Sequence, residues 1–145
     1  MTDENIVSTD SLSQKKQTFL ENSTANPKMY LSIENTVNDP SLKCTIYIIE
    51  IGIQKGQNVH THHVHKRYSA INTFDELIRP ALNYPRELQP FPPKKIIGNK
   101  DTEFINQRSQ ALQSYILSLL RVPGMINLPA FLRFFEIDSN KLTNQ

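Results

Sequence analysis

The stretch that most constrains the fold is residues 42–53, because it is the strongest strand signal in the chain. Its centre is dense in β-branched and aromatic residues: Cys44-Thr45-Ile46-Tyr47-Ile48-Ile49-Glu50-Ile51. Residues 30–37 before it alternate weakly and end at Asn38-Asp39-Pro40, and residues 54–58 after it read as a turn. Residues 59–69 then continue as a further strand. The sequence therefore predicts a three-stranded antiparallel meander.

Helical periodicity replaces the strand pattern after residue 71. Asn72 or Thr73 is a suitable N-cap, and apolar residues then recur at spacings of three and four as far as about residue 83, with Pro80 expected to end or kink this helix. A second long helix is predicted from Asp101 or Thr102, and a short one over residues 128–137. Strands followed by helices indicate an α+β fold, with the small sheet packed on a helical subdomain.

A proline-rich loop over residues 84–100 joins the two long helices. It holds four prolines and one glycine and shows no periodicity. Its centre reads Phe91-Pro92-Pro93-Lys94-Lys95-Ile96-Ile97-Gly98, which favours a stiff, extended path. Two interpretations stay open from the residues alone. The isoleucines are buried and the lysines solvated, or the loop meets a surface that is anionic outside and apolar within, such as a membrane.

Composition and charge predict the limits of the folded domain. Residues 1–27 are polar, carry four acids and two lysines, and are predicted to be a disordered tail with at most a transient helix around residues 14–21. We expect a domain over residues 28–139, with net charge +4 by difference from the chain's +2, and a short tail over residues 140–145. A net charge this small does not indicate a nucleic-acid partner.

The sequence shows no feature typical of a secreted or membrane-spanning protein. The single Cys44 excludes an internal disulfide, no apolar run reaches about 18 residues, and the N-terminus has no basic-then-apolar signal. A cytoplasmic protein is therefore expected.

Two arginines are candidates for ligand binding. Arg108 lies on the apolar stripe of the second long helix, at a spacing of four from Leu112 and seven from Tyr115. A guanidinium there needs either a structural ion pair or an anionic ligand. Arg67 and Tyr68 close the third predicted strand beside a loop, where an arginine can take a phosphate through two hydrogen bonds.

No pattern indicates an enzyme or a cofactor. The sequence contains neither a glycine-rich phosphate loop nor a Gly-x-Ser-x-Gly turn. His60, His62, His63 and His65 alternate along one strand, so at most two share a face, and no metal site is predicted. We leave open whether these histidines make ligand binding sensitive to pH.

Three motifs in order give the chain its family resemblance: Lys66-Arg67-Tyr68-Ser69, then Phe91 to Asn99, then Arg108-x-x-x-Leu112-x-x-Tyr115. Together they resemble a PX (phox homology) domain over residues 27–139. The resemblance implies a cytosolic module that binds phosphoinositides, most often phosphatidylinositol 3-phosphate on endosomal membranes, with a role in endosomal sorting. With tails alone outside the module, the chain resembles a minimal sorting nexin, with trafficking-coat or cargo proteins as further partners.

The resemblance also implies a role for each matching residue. Arg67 matches the arginine that holds the 3-phosphate, Tyr68 the aromatic against the inositol ring, and Arg108 the arginine that bonds the 4- and 5-hydroxyls. Lys94 matches the lysine on the 1-phosphate, with Ser69 and Lys95 as helpers. Ile96 and Ile97 match positions that enter the bilayer. The sequence departs from the family where Ile71 replaces a phenylalanine and Phe74 a leucine, both still apolar.

Two other functions remain open. In the first, the proline loop is an SH3-type ligand of a protein-interaction module that binds lipid weakly or with different specificity. In the second, the lipid carries two or three phosphates on its inositol, which would require more cations near Arg108 than the nearby Lys100.

Overall fold

A computed structural model of the chain describes residues 4–94 and 102–143, without the side chains of residues 102–105 and 143. The strands are β1 (Asn5–Ser8), β2 (Met29–Asp39), β3 (Cys44–Lys55) and β4 (Asn58–Arg67). The helices are α1 (Gln14–Asn22), α2 (Tyr68–Ala81), α3 (Thr102–Leu119), α4 (Pro129–Phe134) and α5 (Asn140–Thr143). Short 3₁₀ turns cover Thr9–Ser11 and Met125–Asn127.

The sheet has four antiparallel strands in the order β1-β4-β3-β2, so the prediction of three strands was wrong. The additional strand, β1, lies within residues 1–27, which were predicted to be disordered. Its backbone pairs with the free edge of β4, from Asn5 opposite Thr61 to Ser8 opposite Asn58. Backbone pairing of this kind requires few apolar side chains, which is why composition gave no sign of it.

Helix α1 covers the outer face of the sheet. The Ser13 hydroxyl caps it by accepting a hydrogen bond from the Lys16 backbone N–H. Its buried Leu20 packs with Tyr30 and Val59 of the sheet, and Val7, Leu12 and Phe19 complete this small cluster. The region predicted as a disordered tail thus adds a strand and a packed helix to the fold.

The main core lies on the inner face of the sheet, against α2, α3 and α4. Alternation along β3 separates the two faces, since Tyr47, Ile49, Ile51 and Ile53 enter the main core whereas Glu50 lies towards α1. Gly52 lies on the α1 side directly opposite Tyr30, where an added Cβ would come within 2.3 Å of the tyrosine ring. Only glycine allows this close approach of ring and backbone.

The boundary between β4 and α2 differs from the prediction, and it falls at the predicted site residues Tyr68 and Ser69. Strand β4 ends at Arg67 and α2 begins at Tyr68, so Tyr68 and Ser69 belong to the first helical turn rather than to the strand. The predicted caps Asn72 and Thr73 lie inside the helix. Pro80 falls within the last turn of α2, where a missing backbone N–H affects a single hydrogen bond, and the helix ends one residue later.

The remaining elements lie close to their predicted positions. Helix α3 begins at Thr102 as predicted, and Leu112, Tyr115, Ile116 and Leu119 of its stripe are fully buried. Helix α4 is shorter than predicted, starts with Pro129 in its first turn, and buries Phe131. Residues 140–143, predicted as part of a tail, form α5, and Leu142 packs against the main core.

Candidate functional site

An arginine stacked on a tyrosine forms the centre of the candidate site. The guanidinium carbon of Arg108, on α3, lies 4.3 Å from the centroid of the Tyr68 ring at the start of α2. This distance is typical of a cation–π contact. Both side chains are half-buried, so the pair remains accessible to a ligand. The contact joins two motifs that are 40 residues apart in the sequence.

The position of Arg108 on an apolar stripe is explained by a second tyrosine. Its guanidinium also donates a hydrogen bond to the hydroxyl of Tyr47, which is buried on β3. Burial raises the pKa of Tyr47, and the nearby positive charge of Arg108 opposes that rise. Arg108 therefore links the helical half of the molecule to the sheet, above the buried Leu112 and Tyr115.

Tyr68 also fixes the path of the proline-rich loop. Its hydroxyl donates a 2.6 Å hydrogen bond to the Pro92 carbonyl. The Phe91 ring lies between the rings of Tyr68 and Tyr115, with centroids 5.3 and 4.9 Å apart respectively. Lys94 follows two residues later and is exposed. The loop thus presents Lys94 from a segment that is anchored directly on the Tyr68–Arg108 pair.

The buried Asp75 holds the proline-rich loop in place through Arg79. The sequence did not predict this role. Asp75 of α2 accepts a 2.7 Å hydrogen bond from the Tyr115 hydroxyl and pairs with Arg79 at 2.8 Å. Arg79 in turn donates to the Gln89 carbonyl at 2.9 Å, and the Ser118 hydroxyl accepts from the Gln89 N–H. The sequence signal for this ion pair was the position of Asp75 on the apolar face of α2, four residues before Arg79.

Asp75 and Tyr115, which hold the loop, are both buried away from solvent. Burial raises the pKa of Tyr115 far above its usual range, and the hydrogen bond to Asp75 raises it further. Tyr115 is fully buried and remains a neutral donor at physiological pH. The Tyr115 hydroxyl can therefore act as the donor in the 2.7 Å hydrogen bond to Asp75.

Arg67 occupies a different part of the same junction. It is exposed and forms the N-cap of α2 in extended conformation, and no side chain of the described residues caps the helix. The first N–H groups of α2 are consequently available to an anion. The Arg67 and Ser69 side chains line an open groove between α2 and α4.

The predicted site residues thus fall into three groups. Tyr68 and Arg108 are in direct contact, Arg67 and Ser69 share a groove, and Lys94 extends from the anchored loop. Lys95, Ile96 and Ile97 lie outside the described residues.

The four histidines on β4 have separate surroundings. His62 is buried and its Nε2 lies 2.8 Å from the Phe135 carbonyl, His63 lies 3.0 Å from Glu50, and His60 lies 3.3 Å from Glu4. Within residues 4–94 and 102–143, no three histidine, cysteine or acidic side chains converge as a metal site would require.

Comparison with known families decides what this arrangement is. The profile of the PX domain matches residues 54–138, which is more than half of the chain and includes Arg67, Tyr68, Lys94 and Arg108. The chain belongs to the PX domain family. PX domains are phosphoinositide-binding, membrane-targeting modules and are generally not enzymes, so membership assigns this chain to the same class. Among the described residues, no helix is both long and apolar enough to cross a membrane.

Two curated relatives share this region. Each is a PX domain-containing protein kinase-like protein, from Rattus norvegicus and from Mus musculus, and is 33% identical over 93 residues. The match covers 63% of this chain but 15% of each relative. The chain therefore corresponds to a small part of those proteins.

Two solved structures share the fold. A designed CISK-PX domain gives a TM-score of 0.60 at 24% identity, covering 73% of this chain and 97% of that one. The mouse SNX19 PX domain with bound sulphate ion gives 0.60 at 19% identity, covering 76% and 97%. At these identities the likeness establishes the fold of a PX domain for this chain.

Proposed function

We propose that this PX domain binds phosphatidylinositol 3-phosphate on the cytosolic face of endosomal membranes and acts there in protein sorting. The observation that carries the proposal is the Arg108 guanidinium stacked 4.3 Å from the Tyr68 ring, beside the loop that Tyr68 anchors. An aromatic face beside a planar donor suits an inositol ring, which offers an apolar face and a rim of hydroxyls.

Each residue then has a distinct role in holding the head group. Arg67, together with the uncapped N–H groups of α2, binds the 3-phosphate, because both supply positive charge at one point. Tyr68 packs against the ring and Arg108 donates to the 4- and 5-hydroxyls. Lys94 binds the 1-phosphate, with Ser69 and Lys95 as secondary donors. Recognition requires no chemical step and no cofactor.

Membrane residence would come from the loop as well as from the pocket. Each fully inserted isoleucine, at positions 96 and 97, contributes about 1.5–3 kcal/mol at about 25 cal/mol per Å² of buried apolar surface. Each basic residue close to an anionic leaflet adds about 1 kcal/mol. These terms convert weak binding of a single head group into stable attachment of a peripheral protein.

Vesicle flotation against a panel of phosphoinositides tests the lipid specificity. We expect binding to vesicles that contain phosphatidylinositol 3-phosphate, and much weaker binding to those with bis- or tris-phosphorylated lipids. Equal binding to every anionic vesicle would contradict the proposal, since charge alone would then explain attachment. The double substitution Ile96→Ser with Ile97→Ser should weaken vesicle binding but leave the affinity for the soluble head group unchanged.

The structure makes the alternative of a proline-loop ligand for SH3 domains less suitable. Phe91 and Pro92 are half-buried, and both contact Tyr68. A segment anchored in this way does not present the free proline ridge that an aromatic groove of an SH3 domain recognises.

A further inference from the structure

A second concave surface lies between α2 and α4. It is an open groove of about 490 Å³ with an apolar floor and two arginines on its rim. The residues that line it are Arg67, Ser69, Ala70, Thr73, Phe74, Leu77, Ala130, Arg133 and Phe134. The Tyr68–Arg108 pair is not among them. This groove, which we call the α2–α4 groove, is too large for one phosphate and falls within the size range of ligand pockets.

Two stacked aromatic rings form part of the floor of the α2–α4 groove, and its edge is apolar. Phe74 stacks on Phe134 with centroids 4.4 Å apart and planes inclined by 17°, and Phe74 is 4% exposed. Leu77 is 58% exposed, an unusual exposure for a leucine on a helix whose other apolar residues are mostly buried. Positions 70, 73, 74 and 77 follow each other along one stripe of α2 over two helical turns. An elongated apolar stripe of this length fits a segment of chain.

The charge of the α2–α4 groove is of one sign. Arg67 and Arg133 are both exposed, and among the described residues neither has a carboxylate within 4 Å. A third cation is close by, because Lys66 Nζ lies 4.3 Å from the centroid of the Phe134 ring. Within the part of the chain that the structure describes, no acid lines the groove. An occupant with large apolar side chains flanked by carboxylates would therefore be complementary in both shape and charge.

We propose that the α2–α4 groove is a docking site for an acidic amphipathic helical segment of a partner protein. The partner lays two apolar side chains, one or two turns apart, on Phe74, Leu77 and Phe134, and its carboxylates pair with Arg67 and Arg133. A membrane is the less suitable occupant, because the apolar surface forms a concave floor rather than a projecting tip. Arg67 lines the groove and also serves the proposed lipid site, whereas Leu77 and Arg133 belong to the groove alone.

Selection from a random 12-residue peptide library displayed on phage, with the full chain as target, tests the proposal. We expect the enriched peptides to combine two large apolar residues, three or four positions apart, with flanking acids. A synthetic peptide of an enriched sequence should bind the wild-type chain, and Leu77→Asp and Arg133→Glu should each weaken it about tenfold or more. Failure to enrich any peptide, or enrichment of peptides without acids, would overturn the proposal.

Matched controls separate the groove from general surface effects. Leu42→Asp replaces a leucine that is 57% exposed, and Arg121→Glu reverses an exposed arginine outside the groove. Both should leave peptide binding unchanged, and all four variants should unfold at the wild-type temperature. Loss of binding in the controls contradicts the assignment, and Leu77→Ala provides a milder groove variant if Leu77→Asp fails to fold.

The lipid assay distinguishes this proposal from the preceding one. Leu77→Asp and Arg133→Glu should still bind vesicles that contain phosphatidylinositol 3-phosphate. If Arg133→Glu instead weakens binding to vesicles of phosphatidylcholine and phosphatidylserine while peptide binding is unchanged, the groove faces the membrane and the docking proposal is wrong. Lack of lipid binding by the wild-type chain would contradict the proposed function and leave the peptide result intact.

Discussion

Among the described residues, two cations stack on tyrosine rings, and their surroundings differ. Lys16 Nζ lies 5.8 Å from the Tyr30 ring centroid on the α1 side of the sheet, and Arg108 lies 4.3 Å from the Tyr68 ring at the candidate site. Lys16 forms ion pairs with Glu34 at 2.7 Å and Glu50 at 2.8 Å. At the candidate site, Arg108 contacts the Tyr68 ring and donates a hydrogen bond to the Tyr47 hydroxyl.

From this difference we infer a structural use of charge on the α1 side and propose a binding use at the candidate site. On the α1 side, Glu50 is 8% exposed and accepts hydrogen bonds from both Lys16 and the Tyr30 hydroxyl, the latter at 2.6 Å. Lys16 on α1 thus pairs with Glu34 and Glu50 on two strands, and the cluster fixes α1 on the sheet. At the candidate site, the exposed Arg67 has no carboxylate within 4 Å among the described residues. Removal of Lys16 should therefore lower the stability of the fold, whereas removal of Arg67 or Arg108 should lower lipid binding.

The largest effect is expected at the candidate site. Arg67→Ala, and separately Arg108→Ala, should each reduce binding to vesicles with phosphatidylinositol 3-phosphate by about 100-fold, because each removes charge-assisted hydrogen bonds worth about 1.5–3 kcal/mol apiece. Vesicle flotation and calorimetry with the soluble head group measure the loss. Lys16→Met should bind these vesicles normally below its unfolding temperature. Unchanged binding by either arginine variant would refute the site assignment.

Removal of the structural cation should instead lower stability. Lys16→Met leaves Glu50 buried beside Tyr30 without its ion pair, and we expect a loss of about 3 kcal/mol in the free energy of unfolding. Lys15→Met is the matched control, because Lys15 is exposed on the same helix. Urea denaturation of the two variants measures the difference. Equal midpoints would show that α1 is not held by this cluster.

The glycine under Tyr30 provides a steric test of the same region. Gly52→Ala should cost about 2 kcal/mol of stability, because its Cβ would lie 2.3 Å from the tyrosine ring and displace it from Glu50. The same substitution in a Tyr30→Ala background should cost much less, since the ring is then absent. Additive costs in this double-mutant cycle would contradict the proposed close approach.

These two regions also differ in how far the sequence predicted them. The family motifs predicted Tyr68 and Arg108 as site residues because their residue types and order are specific, and the structure shows the two side chains in contact. The buried stripe of α3 followed from its spacing. The α1 side was missed, since Lys16 and Glu50 become partners only when a polar N-terminal segment folds back over the sheet. Long-range ion pairs leave no local pattern in the sequence. The transient helix expected around residues 14–21 was the one trace of this region.

The start of α2 shows why boundaries are harder to predict than elements. Asn72 and Thr73 were better caps by residue type than Arg67, yet the helix begins at Tyr68. Packing decides the boundary, since Ile71 and Phe74 are both buried in the main core and only an earlier start places them there together. An arginine at the N-cap position leaves the helix end uncapped. The backbone N–H groups of this first turn are hydrogen-bond donors that an anionic ligand would satisfy.

A smaller effect is expected where Tyr68 anchors the loop. Tyr68→Phe keeps the ring under Arg108 but removes the hydrogen bond to the Pro92 carbonyl, which is worth about 1 kcal/mol. We expect a decrease of about fivefold in lipid affinity, because the loop that carries Lys94 is less well positioned. Titration calorimetry with the soluble head group measures the change. Tyr84→Phe is the control, since the Tyr84 side chain is 66% exposed.

The smallest effect is the contribution of the α1 side to the dependence of stability on acid pH. Burial opposes ionisation of Glu50, but hydrogen bonds from Lys16 and Tyr30 and the charges of Lys16 and His63 outweigh it and lower the pKa of Glu50. A carboxylate whose pKa is lower in the folded state stabilises the fold above its unfolded pKa of about 4.5. That stability is lost as the pH falls through the folded pKa. Denaturation between pH 6 and 3 should therefore show a decline that shrinks in Lys16→Met and persists in Arg108→Ala, and an equal decline in both variants would place the titrating group elsewhere.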